Sequence, residues 1–297
     1  MSTAVKITDL TRFFGETVGI QDLDLSVSEG EIFGFLGPNG AGKTTTIRLL
    51  MNFIRPNRGS IEILGEELNW GDYRYHRNIG YLPGEAVLPG GFTGEALLGY
   101  WSSLSGGEPA ARKRALEALA FPAKDLKRKA REYSRGMKQK LGIIGAIQHF
   151  PKLLILDEPT SGLDPLVKHS FLELLKEMKA EGRTIFFSSH ILSEVEHIAD
   201  TAAIIREGKL VTKASIEDMK AMRHKNVRIH FSAASEAEIF LERYPCASVK
   251  DGKMLSFISD GNLKRLLEAL QGIDVVDLNI SDPDLEEIFL QYYEVKD

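Results

Sequence analysis

The chain has 297 residues, of which 43% are hydrophobic, so it is long enough for one large domain with a full core and a second, smaller domain. Its 42 acidic residues outnumber its 37 basic residues, and the net charge of −5 disfavours a general nucleic-acid binder. The single cysteine excludes a disulfide within the chain and is typical of a protein of a reducing compartment.

Two features argue against export and against a membrane span. The sequence begins MSTAVKITDL, which lacks the basic and apolar segments of a secretory signal. The longest apolar run, residues 141–151, is far shorter than the roughly 20 residues that cross a bilayer. We therefore expect any membrane role to come through a partner.

Short apolar runs alternate with helical stretches over the first two-thirds of the chain, which predicts an α/β domain with a largely parallel sheet. The strand candidates are residues 31–36, 61–64, 79–82, 153–157, 184–188 and 202–206. The helix candidates are residues 42–51, 94–104, 109–120, 136–150, 165–180 and 191–198. Because residues 92–150 contain no convincing strand, we expect them to form a helical subdomain inserted into the α/β body.

The pattern changes after residues 222–226. The following segments read strand, helix, strand, strand, helix, strand and helix, at residues 227–231, 236–241, 247–250, 254–258, 263–270, 275–280 and 285–293. This order predicts a small α+β domain of the ferredoxin-like type. We therefore expect a main domain at residues 1–222 and an accessory domain at residues 223–297.

The segment GPNGAGKTT follows an apolar run and precedes a helical stretch, as the phosphate-loop pattern G-x-x-x-x-G-K-[ST] requires. Gly37, Gly40 and Gly42 let the backbone turn its N–H groups toward phosphate oxygens, and the helix N-terminus adds its positive dipole end. Lys43 is predicted to reach the β- and γ-phosphates, and Thr44 to ligate Mg²⁺. The other predicted nucleotide-binding residues of the loop are Pro38, Asn39, Ala41 and Thr45.

A second motif, KLLILDE at residues 152–158, is an apolar strand that ends in two acids. A strand that is apolar on both faces lies inside a parallel sheet, and ligands bind at the carboxyl ends of such strands. We therefore expect Asp157 to anchor Mg²⁺ and Glu158 to act as the base that polarises an attacking water. Two solvated acids at a strand end are the structural alternative.

Together these residues resemble the ABC ATPase family, over about residues 4–220. Phe14 is placed like the family's aromatic residue that stacks on adenine, with Phe13 as the alternative. YSRGM at residues 133–137 resembles the ABC signature. The resemblance implies that Ser134 and Gly136, at a helix N-terminus, hold the γ-phosphate of a nucleotide bound by another subunit. The more literal match, LSGGE at residues 104–108, lies too far before the acidic pair, and we interpret it as a helix end followed by a new helix.

Three further positions complete the resemblance. Asp164, in SGLD, resembles the loop that crosses to the opposite subunit, and His190, in SSH, matches the histidine that contacts the γ-phosphate. The chain departs from the family at Gly84, where a glutamine is usual. Gly84 has no side chain to contact Mg²⁺ or the attacking water as this glutamine would, so that contact is lost or is made by Glu85. We expect normal nucleotide binding, with altered metal binding or altered coupling to the permease.

The resemblance implies ATP and Mg²⁺ as cofactors, a second nucleotide-binding subunit, identical or related, and an integral membrane permease as partners, with no nucleic acid. The subunit would then lie on the cytoplasmic face of the membrane. The segment DPDLEEIFL at residues 282–290 resembles the ending of exporter ATPases for drugs, lipids and other hydrophobic cargo, whose permease is a separate chain. A plain amphipathic last helix is the alternative.

Other ABC proteins and other phosphate-loop proteins fit the sequence less well. Translation factors of the family usually carry two cassettes in one chain, whereas this sequence has one. Chromosome or repair ATPases carry a long heptad insertion, and no such run is present between Lys43 and Ser134. Phosphate-loop GTPases and kinases do not need residues equivalent to Ser134 or His190. The basic residues within 112–140 are interpreted as a solvated helical face, with contact to a permease or lipid headgroups as the alternative.

Overall fold

The computed structural model describes residues 2–221, 225–245, 248–250, 252–259 and 262–281. These form two compact units, which divide between residues 216 and 217. The domain limits drawn from the sequence, with a boundary at 222 and 223, stay a prediction. The predicted helix at 285–293 and the exporter-like ending at 282–290 lie outside the described residues.

The first unit combines two sheets with seven helices among its described residues. Its strands are β1 (Thr3–Phe14), β2 (Thr17–Ser28), β3 (Ile32–Leu36), β4 (Arg58–Ile63), β5 (Glu66–Glu67), β6 (Ile79–Leu82), β7 (Leu153–Asp157), β8 (Thr184–Ser189), β9 (Thr201–Arg206) and β10 (Lys209–Ser215). Its helices are α1 (Lys43–Leu50), α2 (Gly94–Ser105), α3 (Pro109–Ala118), α4 (Ala123–Leu126), α5 (Arg135–Ile147), α6 (Pro165–Ala180) and α7 (Leu192–Ile198). A further helix, α8 (Ile216–Ala221), lies at the division between the units.

The central sheet has the strand order β10-β9-β3-β8-β7-β6. All of its pairs are parallel except that of β9 and β10. β3, β7 and β8 are buried at every residue, as expected for strands covered on both faces. The α/β prediction is confirmed, and the carboxyl ends of these three strands meet at one edge of the sheet.

The structure contains a second, antiparallel sheet, of which the sequence predicted only the strand at residues 61–64, the end of β4. Its strand order is β2-β1-β4-β5, and its buried residues share one hydrophobic cluster with α1 and the central sheet. Along β1 the register shifts between Ile7 and Leu10, and Asp9 has a left-handed backbone with a φ of 49°. Such bulges interrupt the alternation of apolar and polar residues by which a strand is recognised.

The segment predicted as a helical subdomain, residues 92–150, contains helices and loops in the structure. All of these residues are described, and they form α2 to α5 with one 3₁₀ turn at Ala130–Glu132 and no strand. α2 ends at Ser105, Gly106 follows with a φ of 79°, and α3 begins at Pro109. LSGGE is therefore a helix end followed by a new helix, as predicted.

The second unit contains four described strands and two described helices after α8. They are β11 (Lys225–Phe231), α9 (Ala234–Arg243), β12 (Ser248–Lys250), β13 (Met254–Ser259), α10 (Leu263–Leu270) and β14 (Val275–Ser281). The sheet is antiparallel with the order β12-β13-β11-β14, and its core includes Phe231, Phe240 and Leu266. In neither unit does a described helix have the length and apolar character needed to cross a membrane.

Candidate active site

The loop between β3 and α1 is held in a shape that glycines permit. Gly40 and Gly42 have φ values of 83° and 110°, which favour residues without a Cβ. A Cβ at Gly42 would also lie 2.8 Å from the Gly19 carbonyl oxygen, and one at Gly37 would collide with the Ile205 carbonyl. The side chain of Lys43 is only 5% exposed, and it folds back over the loop. Its Nζ donates to the carbonyl oxygens of Gly37 at 2.7 Å and Pro38 at 3.1 Å.

Asp157, at the end of β7, is 2% exposed and accepts a hydrogen bond on each carboxylate oxygen. The Thr44 hydroxyl donates to Oδ2 at 2.8 Å, and the Ser188 hydroxyl donates to Oδ1 at 2.5 Å. Burial, with a smaller contribution from the charge of Asp157, raises the pKa of nearby Tyr81 to about 12. Two hydroxyls from different elements thus fix the orientation of this carboxylate.

Glu158 lies where three strand ends converge. Its Oε1 is 3.4 Å from Lys43 Nζ, and its Oε2 is 3.2 Å from His190 Nδ1. Its N–H donates to the Ser188 hydroxyl at 3.0 Å. Its backbone is left-handed, with a φ of 46°, a strained conformation for a glutamate of the kind that clusters at functional sites. The carboxylate is 25% exposed, so solvent or a ligand can reach it.

A cavity of about 280 Å³ lies over the phosphate loop. Lys43, Thr44 and Glu158 line its polar part, and Phe14 lines it from the turn between β1 and β2. Of the two aromatic candidates, Phe14 is the one among the lining residues, and its ring is stacked 4.8 Å from the Arg12 guanidinium. Three lining residues were not predicted from the sequence, namely Thr17, Val18 and Gly19.

Gly84 follows β6 and lies directly against Asp157. A Cβ built on Gly84 would lie 3.3 Å from Asp157 Oδ2. The position where the resemblance implied a glutamine is therefore beside the carboxylate predicted to anchor a metal. Glu85 is next to it in the chain and lines a separate cavity of about 380 Å³ with Gln139 and Ser161.

Ser134 and Gly136 are at the start of α5. The Ser134 hydroxyl accepts from the Met137 N–H at 3.2 Å and so caps the helix. A Cβ at Gly136 would lie 2.9 Å from the Gly162 carbonyl oxygen, so the absence of a side chain lets the SGLD loop pack closely. Ser134 is exposed, and it is not among the described residues that line the cavity over the phosphate loop.

Asp164 caps α6 with its side chain. Its Oδ1 accepts from the Val167 N–H at 3.0 Å, and chiefly this hydrogen bond lowers the pKa of Asp164. The structure thus gathers Lys43, Thr44, Asp157, Glu158 and His190 at one edge of the central sheet. Ser134 and Asp164 contribute helix caps outside the lining of the loop cavity.

Glu194 is a buried carboxylate that the sequence analysis did not single out. It is 1% exposed and accepts from the Thr160 hydroxyl at 2.8 and 2.9 Å and from the Ser189 hydroxyl at 3.0 Å. Lys168 Nζ lies 2.5 Å from Glu194 Oε1. Because Thr160 follows Glu158 and Ser189 precedes His190, Glu194 ties together the two segments that carry the site.

We expect Glu194→Ala to lower the free energy of unfolding by about 3 kcal/mol, because it leaves buried hydroxyls and a cation without their partner. Urea unfolding followed by circular dichroism measures this loss. The matched control is Glu117→Ala, which removes an exposed ion pair with Lys113 at 3.9 Å and is expected to cost about 0.5 kcal/mol or less. Equal losses in the two variants would contradict the buried network.

The glycine loop around a buried lysine, with an acidic pair at a neighbouring strand end, defines a phosphate-loop nucleoside triphosphatase. Residues 20–161 match the ABC transporter family. The chain is 36% identical to the bacitracin transport ATP-binding protein BcrA of Bacillus licheniformis, over 98% of this chain and 97% of the relative. It is 33% identical to BcrA of Enterococcus faecalis, over 97% and 96% of the two chains.

A solved structure described as an ATP-binding subunit of an ABC transporter has 34% identity and a TM-score of 0.68, over 73% of this chain and 92% of that one. The chain belongs to the ABC transporter family, as an ATP-binding subunit with ATPase activity.

Proposed function

We propose that two of these subunits, identical or related, bind ATP between them and drive a separate permease that exports an antibiotic-like compound. One observation carries the paired arrangement. The N-terminus of α5, capped by Ser134, is exposed and takes no part in the lining of its own loop cavity. A helix N-terminus favours anions, so it can bind the γ-phosphate of a nucleotide on the opposite subunit.

The residues around Asp157 fit Mg²⁺, since a hydroxyl and carboxylates are the oxygen donors that this ion prefers. Thr44 and Asp157 would hold the ion. When bound, Mg²⁺ neutralises charge on the β- and γ-phosphates. Ser188 keeps the Asp157 carboxylate oriented through its 2.5 Å hydrogen bond.

We assign the general base to Glu158. Its carboxylate is held between Lys43 and His190, at 3.4 and 3.2 Å, so it has a fixed position from which to accept a proton from water. Lys43 would turn from its loop carbonyls to the β- and γ-phosphates, and His190 would contact the γ-phosphate. Phe14 would stack on adenine. The remaining predicted nucleotide-binding residues are those of the loop, namely Gly37, Pro38, Asn39, Gly40, Ala41, Gly42 and Thr45.

The pair would alternate between a closed and an open state. ATP favours the closed dimer because its γ-phosphate contacts both subunits, and hydrolysis removes this contact. Asp164 and the SGLD loop, which packs against Gly136, would cross to the partner. The separation of the halves would then move a permease between its two orientations, and this permease would hold the subunit at the cytoplasmic face of the membrane.

The cargo assignment draws on the relatives. The BcrA proteins are named for bacitracin transport, and the alignments span nearly the whole of both chains. For the accessory domain we propose the ferredoxin-like fold, which the order β12-β13-β11-β14, with α9 after β11 and α10 after β13, supports.

The export proposal is tested in a bacitracin-sensitive bacterial host. Expression of the chain together with its permease is expected to raise the bacitracin concentration that stops growth several-fold. The same pair with Glu158→Gln is expected to give no protection. Equal sensitivity of cells with the parent and the variant would contradict bacitracin-type export, while leaving the ATPase assignment in place.

We expect Gly84→Gln to keep ATP affinity but to lower the Mg²⁺ concentration for half-maximal hydrolysis by about 2- to 5-fold, as one added polar contact would. The new side chain starts 3.3 Å from Asp157 Oδ2, within reach of the ion and the attacking water. Phosphate release at graded Mg²⁺ measures the shift. Gly84→Ala adds the Cβ without the amide and is the control; identical Mg²⁺ curves for the two variants would mean that the amide is irrelevant.

A further inference from the structure

A cluster of metal-ligating side chains lies between α6 and α7. His169 and Glu173 are four residues apart on α6, and so lie on one face of the helix, and His197 faces them from α7. One ligand atom from each residue lies within 4.8 Å of the other two. The His197 Nε2 and Glu173 Oε1 atoms are 3.0 Å apart, and the two imidazole rings are 5.8 Å apart between centroids.

The 3.0 Å between His197 Nε2 and Glu173 Oε1 is close to the spacing of two ligands of a tetrahedral ion, and His169, within 4.8 Å, has to move only a short way to join them. Ligand atoms about 2.0–2.1 Å from zinc in tetrahedral geometry are roughly 3.3 Å from one another. Two imidazoles and one carboxylate are a ligand set that zinc uses with water in the fourth position. The side chains of His197 and Glu173 are 42% and 43% exposed, so an ion can enter and the side chains can adjust.

We propose that His169, Glu173 and His197 form a zinc-binding site that joins α6 to α7. α6 begins immediately after Asp164, and α7 begins shortly after His190. A bound ion would therefore connect the helices that follow two loops of the ATPase site. Because the ion binds only the folded arrangement of these helices, it stabilises the folded chain.

Lys176 already brings a positive charge to this position. Its Nζ lies 2.9 Å from Glu173 Oε1 and 3.3 Å from His197 Nε2. An ammonium group only donates hydrogen bonds, so the Glu173 carboxylate accepts from it, and in the tautomer with the proton on Nδ1 the His197 Nε2 lone pair would also face it, as it would face a metal ion. The Lys176 side chain is 36% exposed and can rotate away, but zinc must displace it. The lysine is thus a competitor, and its removal is expected to strengthen binding.

The test is zinc titration of the metal-free full chain, without nucleotide, by calorimetry and thermal unfolding. We expect one zinc ion to bind and to raise the midpoint of unfolding. His197→Gln and Glu173→Gln are expected to weaken binding about 10-fold or more, since loss of even an outer partner of a ligand costs this much. Lys176→Gln is expected to tighten binding several-fold.

His230→Gln, at an exposed histidine of β11, is the matched control and is expected to leave zinc binding unchanged. Co²⁺ provides a second readout, since its visible absorption in the parent should show tetrahedral coordination that is lost in His169→Gln. Zinc binding of parent strength in both His197→Gln and Glu173→Gln would overturn the proposal. So would weaker binding in Lys176→Gln, which would make the lysine part of the site.

Discussion

The Glu158→Gln variant is expected to bind ATP with parent affinity but to hydrolyse it about 10²- to 10⁴-fold more slowly, the usual contribution of a general base. The amide has nearly the size and shape of the carboxylate between Lys43 and His190, so the cavity keeps its shape. It cannot take a proton from water. Phosphate release and binding of radiolabelled ATP measure the two quantities separately.

The same variant is expected to accumulate as a closed dimer in ATP, because the γ-phosphate that joins the subunits is no longer removed. Light scattering with and without ATP measures this change in mass. Glu117→Gln, at an exposed glutamate of α3, is the control and is expected to hydrolyse ATP at the parent rate. Near-parent turnover in Glu158→Gln would remove Glu158 from its assigned role.

The second large effect concerns the composite site, in which Lys43 of one subunit and Ser134 of the other bind the same ATP. The variants Lys43→Ala and Ser134→Asp each remove one half of it. Each variant alone is expected to lose ATPase activity about 10²-fold or more, because charge stabilisation at the phosphates is lost. Lys43→Ala removes the buried cation of the loop. Aspartate at 134 is still a good helix cap, so α5 is preserved, but its charge repels a γ-phosphate.

An equimolar mixture of the two variants is expected to recover activity. A mixed head-to-tail dimer has one site in which both Lys43 and Ser134 are intact, so random mixing restores about a quarter of the parent rate. Ser105→Asp, in the LSGGE segment, is the control and is expected to stay active. A mixture as inactive as its components would refute the composite site, whatever Lys43 does within its own chain.

Both predictions start from segments that can be read locally. The loop from Gly37 to Thr45, the acidic pair after an apolar strand, and Ser134 before a helix are each contiguous, and their neighbours in sequence determine their conformation. The same holds for LSGGE, where Gly106 ends one helix and Pro109 opens the next. Burial on both faces also made β3, β7 and β8 recognisable as continuous apolar runs.

Contacts between distant segments could not be predicted in this way. The strand β1 of the antiparallel sheet was not predicted, because a bulge at Asp9 breaks its alternation of apolar and polar residues. Phe13 and Phe14 have the same chemistry, and only the packing of the turn after β1 puts Phe14 in the cavity lining. In the sequence Glu194 cannot be told from any other glutamate of a helix. Only the fold brings Thr160, Ser189 and Lys168 into contact with its carboxylate.

The sequence by itself determined the family, the nucleotide loop and the acidic pair, because each is a short pattern whose chemistry depends on adjacent residues. The tertiary structure alone decided that Gly84 lies against Asp157 and that His197 meets His169 and Glu173. These residues are far apart along the chain, and their distances are set by how the strands align and the helices pack.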